Sequence, residues 1–264
     1  MNLLSNWVWG GISTILRSFE YFKIFNKEIF YNKISYIWSL GAPIIFLIIN
    51  DFNERTNMTY EAFSYDVLFY WSYIILITGI QGIGIDLLFM RDQNFLKMYT
   101  YITGSKFPII LGRILSQCLF LWVNLILFTV FIGLFQEQPI ASLLVTSLLI
   151  LIPVVIPIYF FIVLIAAMPI RSNSIGPILT FIVLFLVSLI GLKIDTGTVM
   201  DYFVYLNDFL NPAQVIVTSA ESIHSMLSGA GSILIGFSVL PLAVYLLVGS
   251  ISCQEMSIIS KKGR

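Results

Sequence analysis

Six stretches of this chain are apolar over roughly the thickness of a bilayer: about 35–50, 67–90, 107–134, 142–168, 175–193 and 231–252. An α-helix rises 1.5 Å per residue, so about 20 apolar residues match a hydrocarbon core of about 30 Å. Inside that core the backbone finds no water, and a spanning segment must satisfy its own N–H and C=O groups as a helix. Only 11% of the residues are charged and 58% are hydrophobic, with a mean hydropathy of +0.94. Soluble domains carry about 25% charged residues. This chain has too little polar surface to cover a globule, and lipid must solvate much of it. The expectation is an all-α integral membrane protein with six transmembrane helices. One membrane domain fills 35–264, without repeats or low-complexity linkers, and a separate segment, 1–34, precedes it.

Lysine and arginine set the expected orientation. With the N-terminus inside, the inner segments hold Arg17, Lys23, Lys27, Lys33, Arg91, Lys97, Lys106, Arg113, Arg171, Lys261, Lys262 and Arg264, and the outer ones only Arg55 and Lys193. Twelve against two puts both termini in the cytoplasm. Segment 1–34 lacks the uninterrupted apolar core of a signal peptide. Read as a helix, it places Ile15, Phe19, Phe22 and Ile29 on one side and Arg17, Glu20, Lys27 and Glu28 on the other, with Trp7 and Trp9 upstream. That is the pattern of an amphipathic helix lying in the membrane interface. In the fourth run, Pro153 and Pro157 are one turn apart and predict a kink, because each removes a backbone donor. Residues 194–230 are too short and broken to span fully. They predict short helices dipping into the outer leaflet, one of them starting near Pro212.

The charges that remain concentrate in "LLFMRDQNFLKMYTYITGSKFPIILGR", residues 87–113. Its centre predicts a short helix with Phe95 and Met98 on one side, Leu96 and Tyr99 beside them, and Arg91, Asp92 and Lys97 flanking. On the cytoplasmic assignment this is an apolar ridge suited to a protein groove, with Phe95 and Leu96 at the surface and Arg91 and Lys97 as hydrated rim charges. The competing reading is a basic loop that only fixes topology.

Several chemistries have no residues to carry them. There is no G-x-x-x-x-G-K-[ST] phosphate loop, and the glycines of "GIQGIGID" lie inside the second run, where close helix packing is the better reading. Asp66 and Asp86 are twenty residues apart on one helix, hence ~30 Å at 1.5 Å per residue, too far to share a proton. Asp86 is expected to pair with Arg91 or with a neighbouring chain. His224 stands outside with no nucleophile pattern and reads as a surface or interfacial residue; Cys118 and Cys253 read as packing residues. The chain is expected not to be an enzyme, and a net charge of zero gives no sign of nucleic-acid binding.

The order of these features resembles the ABC-2 type permeases, the membrane subunits of ATP-driven exporters. The likeness rests on Arg91-Asp92, Asn94 to Tyr101, Gly104-Ser105 and Gly112-Arg113 after the second run, on "FLNPAQVIVTSAESI" before the last, and on "NKEIFYNKISYIWSLGAPIIFLII" with Pro43 at the first. The sequence has Asp92-Gln93 where many members have Glu and Gly. The resemblance implies an N-terminal elbow helix, six spans and short outer re-entrant helices before the last span, in a bacterial plasma membrane. It implies an ATPase-coupling surface made of Arg91, Asp92, Asn94, Phe95, Leu96 and Lys97, joined by Arg171 and Asn173 of the turn "MPIRSNS". It also implies two copies of an ABC ATPase subunit, which would bind ATP and Mg, and a second permease protomer, identical or similar. No cofactor is expected in this chain itself. A candidate translocation route would use Phe69, Tyr70, Tyr73 and Ile77 of the second span with Phe181 and Phe185 of the fifth. A route with no buried lysine or arginine suits a hydrophobic or amphipathic substrate, such as a toxin peptide or lipophilic drug. The alternatives are a lipid-linked glycan exporter and a non-transporting immunity or sensor protein.

Overall fold

The computed structural model describes residues 3–31, 33–51, 59–170, 172–190, 199–227 and 235–256. Among the described residues the chain is helical, with no strand. The helices are α1 (Leu3–Tyr31), α2 (Lys33–Asp51), α3 (Tyr60–Gly79), α4 (Asp86–Asp92), α5 (Phe95–Thr103), α6 (Phe107–Gln136), α7 (Ala141–Leu149), α8 (Ile156–Ala167), α9 (Ser172–Ser188), α10 (Val199–Leu210), α11 (Pro212–Leu227) and α12 (Ile235–Glu255). Two π-helical turns, Ile80–Ile85 and Leu151–Val155, join α3 to α4 and lead into α8.

Among the described residues, two helices are long and apolar enough to cross a membrane: the continuous rod Tyr60–Asp92, 33 residues, and Phe107–Gln136, 30 residues. A third is present if Ala141–Leu149 and Leu151–Ala167, bent by 41° at their junction, form one broken span. The bend falls where the proline pair predicts it: Pro153 lies in the π-helical turn and Pro157 opens α8. Three further apolar stretches, Ser39–Ile49, Ile175–Ser188 and Val239–Glu255, lie within α2, α9 and α12. Among the described residues, length and composition alone thus identify two or three candidate spans. These apolar helices fit a chain associated with a membrane.

The core is one apolar cluster running the length of the bundle, built on Trp71, Ile74, Ile75, Phe128, Ile158 and Tyr159. Several polar side chains inside it are paired across helices. Trp71 Nε1 donates to Thr129 Oγ1 at 3.1 Å, and Asn124 Nδ2 to Ser39 Oγ at 3.1 Å. The Thr78 and Tyr159 hydroxyls are 3.0 Å apart. Two glycines bring one helix against the backbone of another. A Cβ on Gly112 would lie 2.6 Å from Tyr21 Cβ and 2.9 Å from the Ser18 carbonyl, and one on Gly249 would lie 2.4 Å from the Phe160 backbone. Both contacts are below any real Cβ separation, so α1 seats on α6, and α12 on α8, only because the side chain is missing.

Helix α1 differs in detail from its expected amphipathic pattern. Ser18, Tyr21, Phe25 and Ile29 form its buried face, whereas Ile15 and Phe19 are exposed. The apolar arc is wide enough that one half packs on protein while the other is left outside. The side chains of Trp7 and Trp9 lie outside the described residues. At α11, Pro212 takes the first helical position, where it needs no donor, and Asn211 Oδ1 accepts from the Ala213 N–H at 3.0 Å as an N-cap. Asn211 Nδ2 also donates to the Leu186 carbonyl at 2.8 Å, which ties this start to α9.

Candidate functional sites

Two places in the molecule carry chemistry, one at each side of the 87–113 stretch. The first is α5, a helix of nine residues bounded by two left-handed residues, Asn94 (φ 64°) and Gly104 (φ 73°). Asparagine and glycine are the residues that enter this region at least cost. The Gly104 N–H closes the helix on the Thr100 carbonyl at 2.8 Å. The helix is thus reversed sharply at both ends and lies as a short connector between α4 and α6. Leu96 is fully buried beneath it. On the opposite face Phe95 is 45% exposed, Met98 48%, Tyr101 78% and Ile102 72%.

This placement corrects two expectations. Leu96 is not at the surface but is the peg that fixes α5 to the bundle. Arg91 is not a hydrated rim charge: it is buried, its Nη1 donating to the carbonyls of Ala166 (2.8 Å) and Met168 (2.6 Å) and its Nη2 to that of Ile170 (2.6 Å). These carbonyls lie at and beyond the C-terminal end of α8, where helical partners run out and cations are favoured. Lys106 does the same for α12, its Nζ donating to the Gln254 and Met256 carbonyls at 2.6 Å each. Arg17 of α1 reaches the Thr103 carbonyl at the end of α5. Asp92 is half-buried, 3.4 Å from Arg91, and Lys97 lies 5.9 Å from the Tyr101 ring. Much of the charge in this stretch therefore terminates helices. Arg171 and the side chain of Asn173 lie outside the described residues.

The second place is a cavity of about 310 Å³ inside the bundle, bounded by α1, α2, the end of α3, the first π-helical turn, α4, α6 and α9. Arg113 is buried in its wall. Its Nε donates to the Gly82 carbonyl at 2.7 Å, its Nη1 to Glu28 Oε2 at 3.1 Å, and its Nη2 to Asp86 Oδ2. Its guanidinium also sits 5.0 Å from the centre of the Phe25 ring. Asp86 thus pairs with Arg113 of the next long helix, not with Arg91. The "GIQGIGID" glycines pack closely, as the sequence suggests, since a Cβ on Gly82 would collide with the Gln117 side chain and one on Gly84 would lie 3.1 Å from Ile165 Cδ1; they lie in a π-helical turn where the Gly82 carbonyl accepts from a side chain. A charge assigned by sequence to the membrane surface is in fact inside the bundle.

The route residues are not gathered within one chain. Tyr73 and Ile77 are buried, and Phe69 and Tyr70 are half-buried, with Tyr70 edge-on to Phe128 at 5.8 Å. Phe181 and Phe185 face outward. His224 is not a surface residue: it is buried at the opposite end from α5, with Nδ1 3.3 Å from Thr146 Oγ1 and its ring 6.1 Å from Tyr60. Burial pushes its pKa below the ordinary imidazole range, so it is neutral at pH 7. Among the described residues, no cluster of three metal-ligating side chains occurs. No family model, curated protein or solved structure matches the chain.

Proposed function

We propose that this chain is the permease subunit of an ATP-driven exporter of the ABC-2 type. One observation carries the reading: a short helix held rigidly between the two longest apolar helices presents Phe95, Met98, Tyr101 and Ile102 to the outside while Leu96 anchors it from beneath. An exposed apolar face of this kind, at the end of a bundle and rimmed by Lys97, suits a groove on a soluble partner. On this reading that partner is an ATPase, present in two copies and binding ATP and Mg, and the permease pairs with a second protomer. The broken α7–α8 pair counts as one span, and α2, α9 and α12 complete six. α1 is the elbow helix, and α10 and α11 are the outer re-entrant pair. The chain ends and α5 face the cytoplasm of a bacterial plasma membrane. The substrate is amphipathic rather than purely lipophilic, because the interior holds the Arg113 cluster.

The test is purification of the tagged chain from its own membranes, with ATP hydrolysis as the readout. The wild type should carry an ATP-hydrolysing subunit. Phe95→Ala with Met98→Ala should lose it at unchanged membrane abundance, since truncating two interface anchors costs about 2–4 kcal/mol. That corresponds to about 30-fold or more in affinity. Full retention of the ATPase by the double variant would leave α5 as a topology element only.

A further inference from the structure

We propose that the cavity beside Arg113 is a binding site for the cationic head of a small amphipathic amine. Its lining contains two carboxylates, Glu28 and Asp86, against one cation, Arg113, so with both acids ionised the wall holds one negative charge in excess. Arg113 engages Oε2 of Glu28 and Oδ2 of Asp86, and each acid keeps further acceptor capacity. A separate observation points to a ligand. Gln117, also in the wall, is buried, and its Oε1 has no hydrogen-bond partner among the described residues. Buried acceptors are nearly always satisfied, and this one asks for an N–H donor.

An ammonium or guanidinium group meets all three requirements at once: a positive charge, several N–H donors and no acceptor to clash with Oε1. Ile29, Ile85 and Phe120 supply apolar wall for a short tail. At about 310 Å³ the cavity falls at the lower end of the range of small-molecule sites, enough for a head group and a ring. The Glu28 side chain, exposed over more than half of its area, marks where the cavity opens. Interrupting a long helix with a π-helical turn is a device found often at functional sites, and here it frees the Gly82 carbonyl that orients Arg113. The site stands without the exporter reading; only the statement that it would seat the polar end of the exported substrate rests on that reading.

The test uses the purified chain in lipid nanodiscs without any ATPase, so that it does not share the fate of the ATPase experiment. The probe is radiolabelled phenethylammonium at pH 7, with 2-phenylethanol as its neutral isostere. Saturable binding is expected, displaced by unlabelled amine and not by the alcohol. Binding should weaken tenfold or more in Glu28→Gln and in Gln117→Leu at wild-type thermal stability. If Gln117→Leu does not fold, Glu28→Gln decides alone, because its side chain is the same size and largely exposed. Absence of saturable binding, equal displacement by the alcohol, or unchanged affinity in the folded variants would overturn the site and leave a structural ion-pair cluster.

Discussion

Arg91 and Lys97 are two basic residues six positions apart, and their environments are opposite. Arg91 satisfies three carbonyls where α8 ends, while Lys97 is half-buried on α5 with its ammonium 5.9 Å from the centre of the Tyr101 ring. A charged hydrogen bond is worth about 1.5–3 kcal/mol, and unsatisfied buried acceptors add to the loss. Arg91→Ala should therefore lower stability by about 3 kcal/mol and reduce folded protein in the membrane. Lys97→Ala should stay within about 0.5 kcal/mol, as surface substitutions do. Thermal unfolding of the two purified variants checks this, and equal effects would mean that the Arg91 bonds add nothing. Sequence reasoning placed both on the rim because spacing says which residues share a helix face but not which loop comes to lie against it. The carbonyls that Arg91 reaches are more than 70 positions away. The same holds for Arg113 and Asp86, 27 positions apart and on different long helices. One signal was present: an arginine seven residues into an apolar run needs a buried partner.

Elements were far more legible than their contacts. Apolar runs, prolines and glycines are local signals. They gave the short helix after Asn94 with its break at Gly104, the bend at Pro153 and the helix opening at Pro212. What stayed hidden was which side of each element is covered. The wide apolar arc of α1 offers two faces to choose from, and α5 is apolar nearly all round, so periodicity could not tell Leu96 from Phe95. Packing chooses, and glycine positions record the choice. Gly112→Ala and Gly249→Ala each force a Cβ into an occupied space and should cost about 1–3 kcal/mol by overpacking. Gly41→Ala meets no atom within 4 Å and should be neutral or slightly stabilising through helix propensity. Membrane abundance and melting temperature of the three variants make the comparison; a Gly41→Ala variant as damaged as the others would put the α1–α6 and α12–α8 packing in doubt.

At the scale of the molecule, the bundle has two unlike ends. One carries α5, with Arg91, Lys106 and Arg17 each bound to terminal carbonyls. The other carries the start of α3 and of α7, where Tyr60 and Ser142 hydroxyls are 2.6 Å apart, with buried His224 beside them. The tally read from the sequence, with Arg113 moved to the interior, still stands at eleven against two, and the described Arg17, Arg91 and Lys106 all bind at the first end. An ATPase reaches α5 only if that end is cytoplasmic and the rods between the two ends cross the bilayer. The most direct measurement is labelling of single cysteines in intact cells with a membrane-impermeant maleimide. Met98→Cys reports on the exposed face of α5, and Gln138→Cys on the turn between α6 and α7. The unsubstituted chain, whose Cys118 and Cys253 are half-buried and buried, sets the background. The account predicts that Gln138→Cys labels in intact cells and Met98→Cys only after permeabilisation. Labelling of Met98→Cys from outside would contradict it, and the ATPase-docking role of α5 would fall with it.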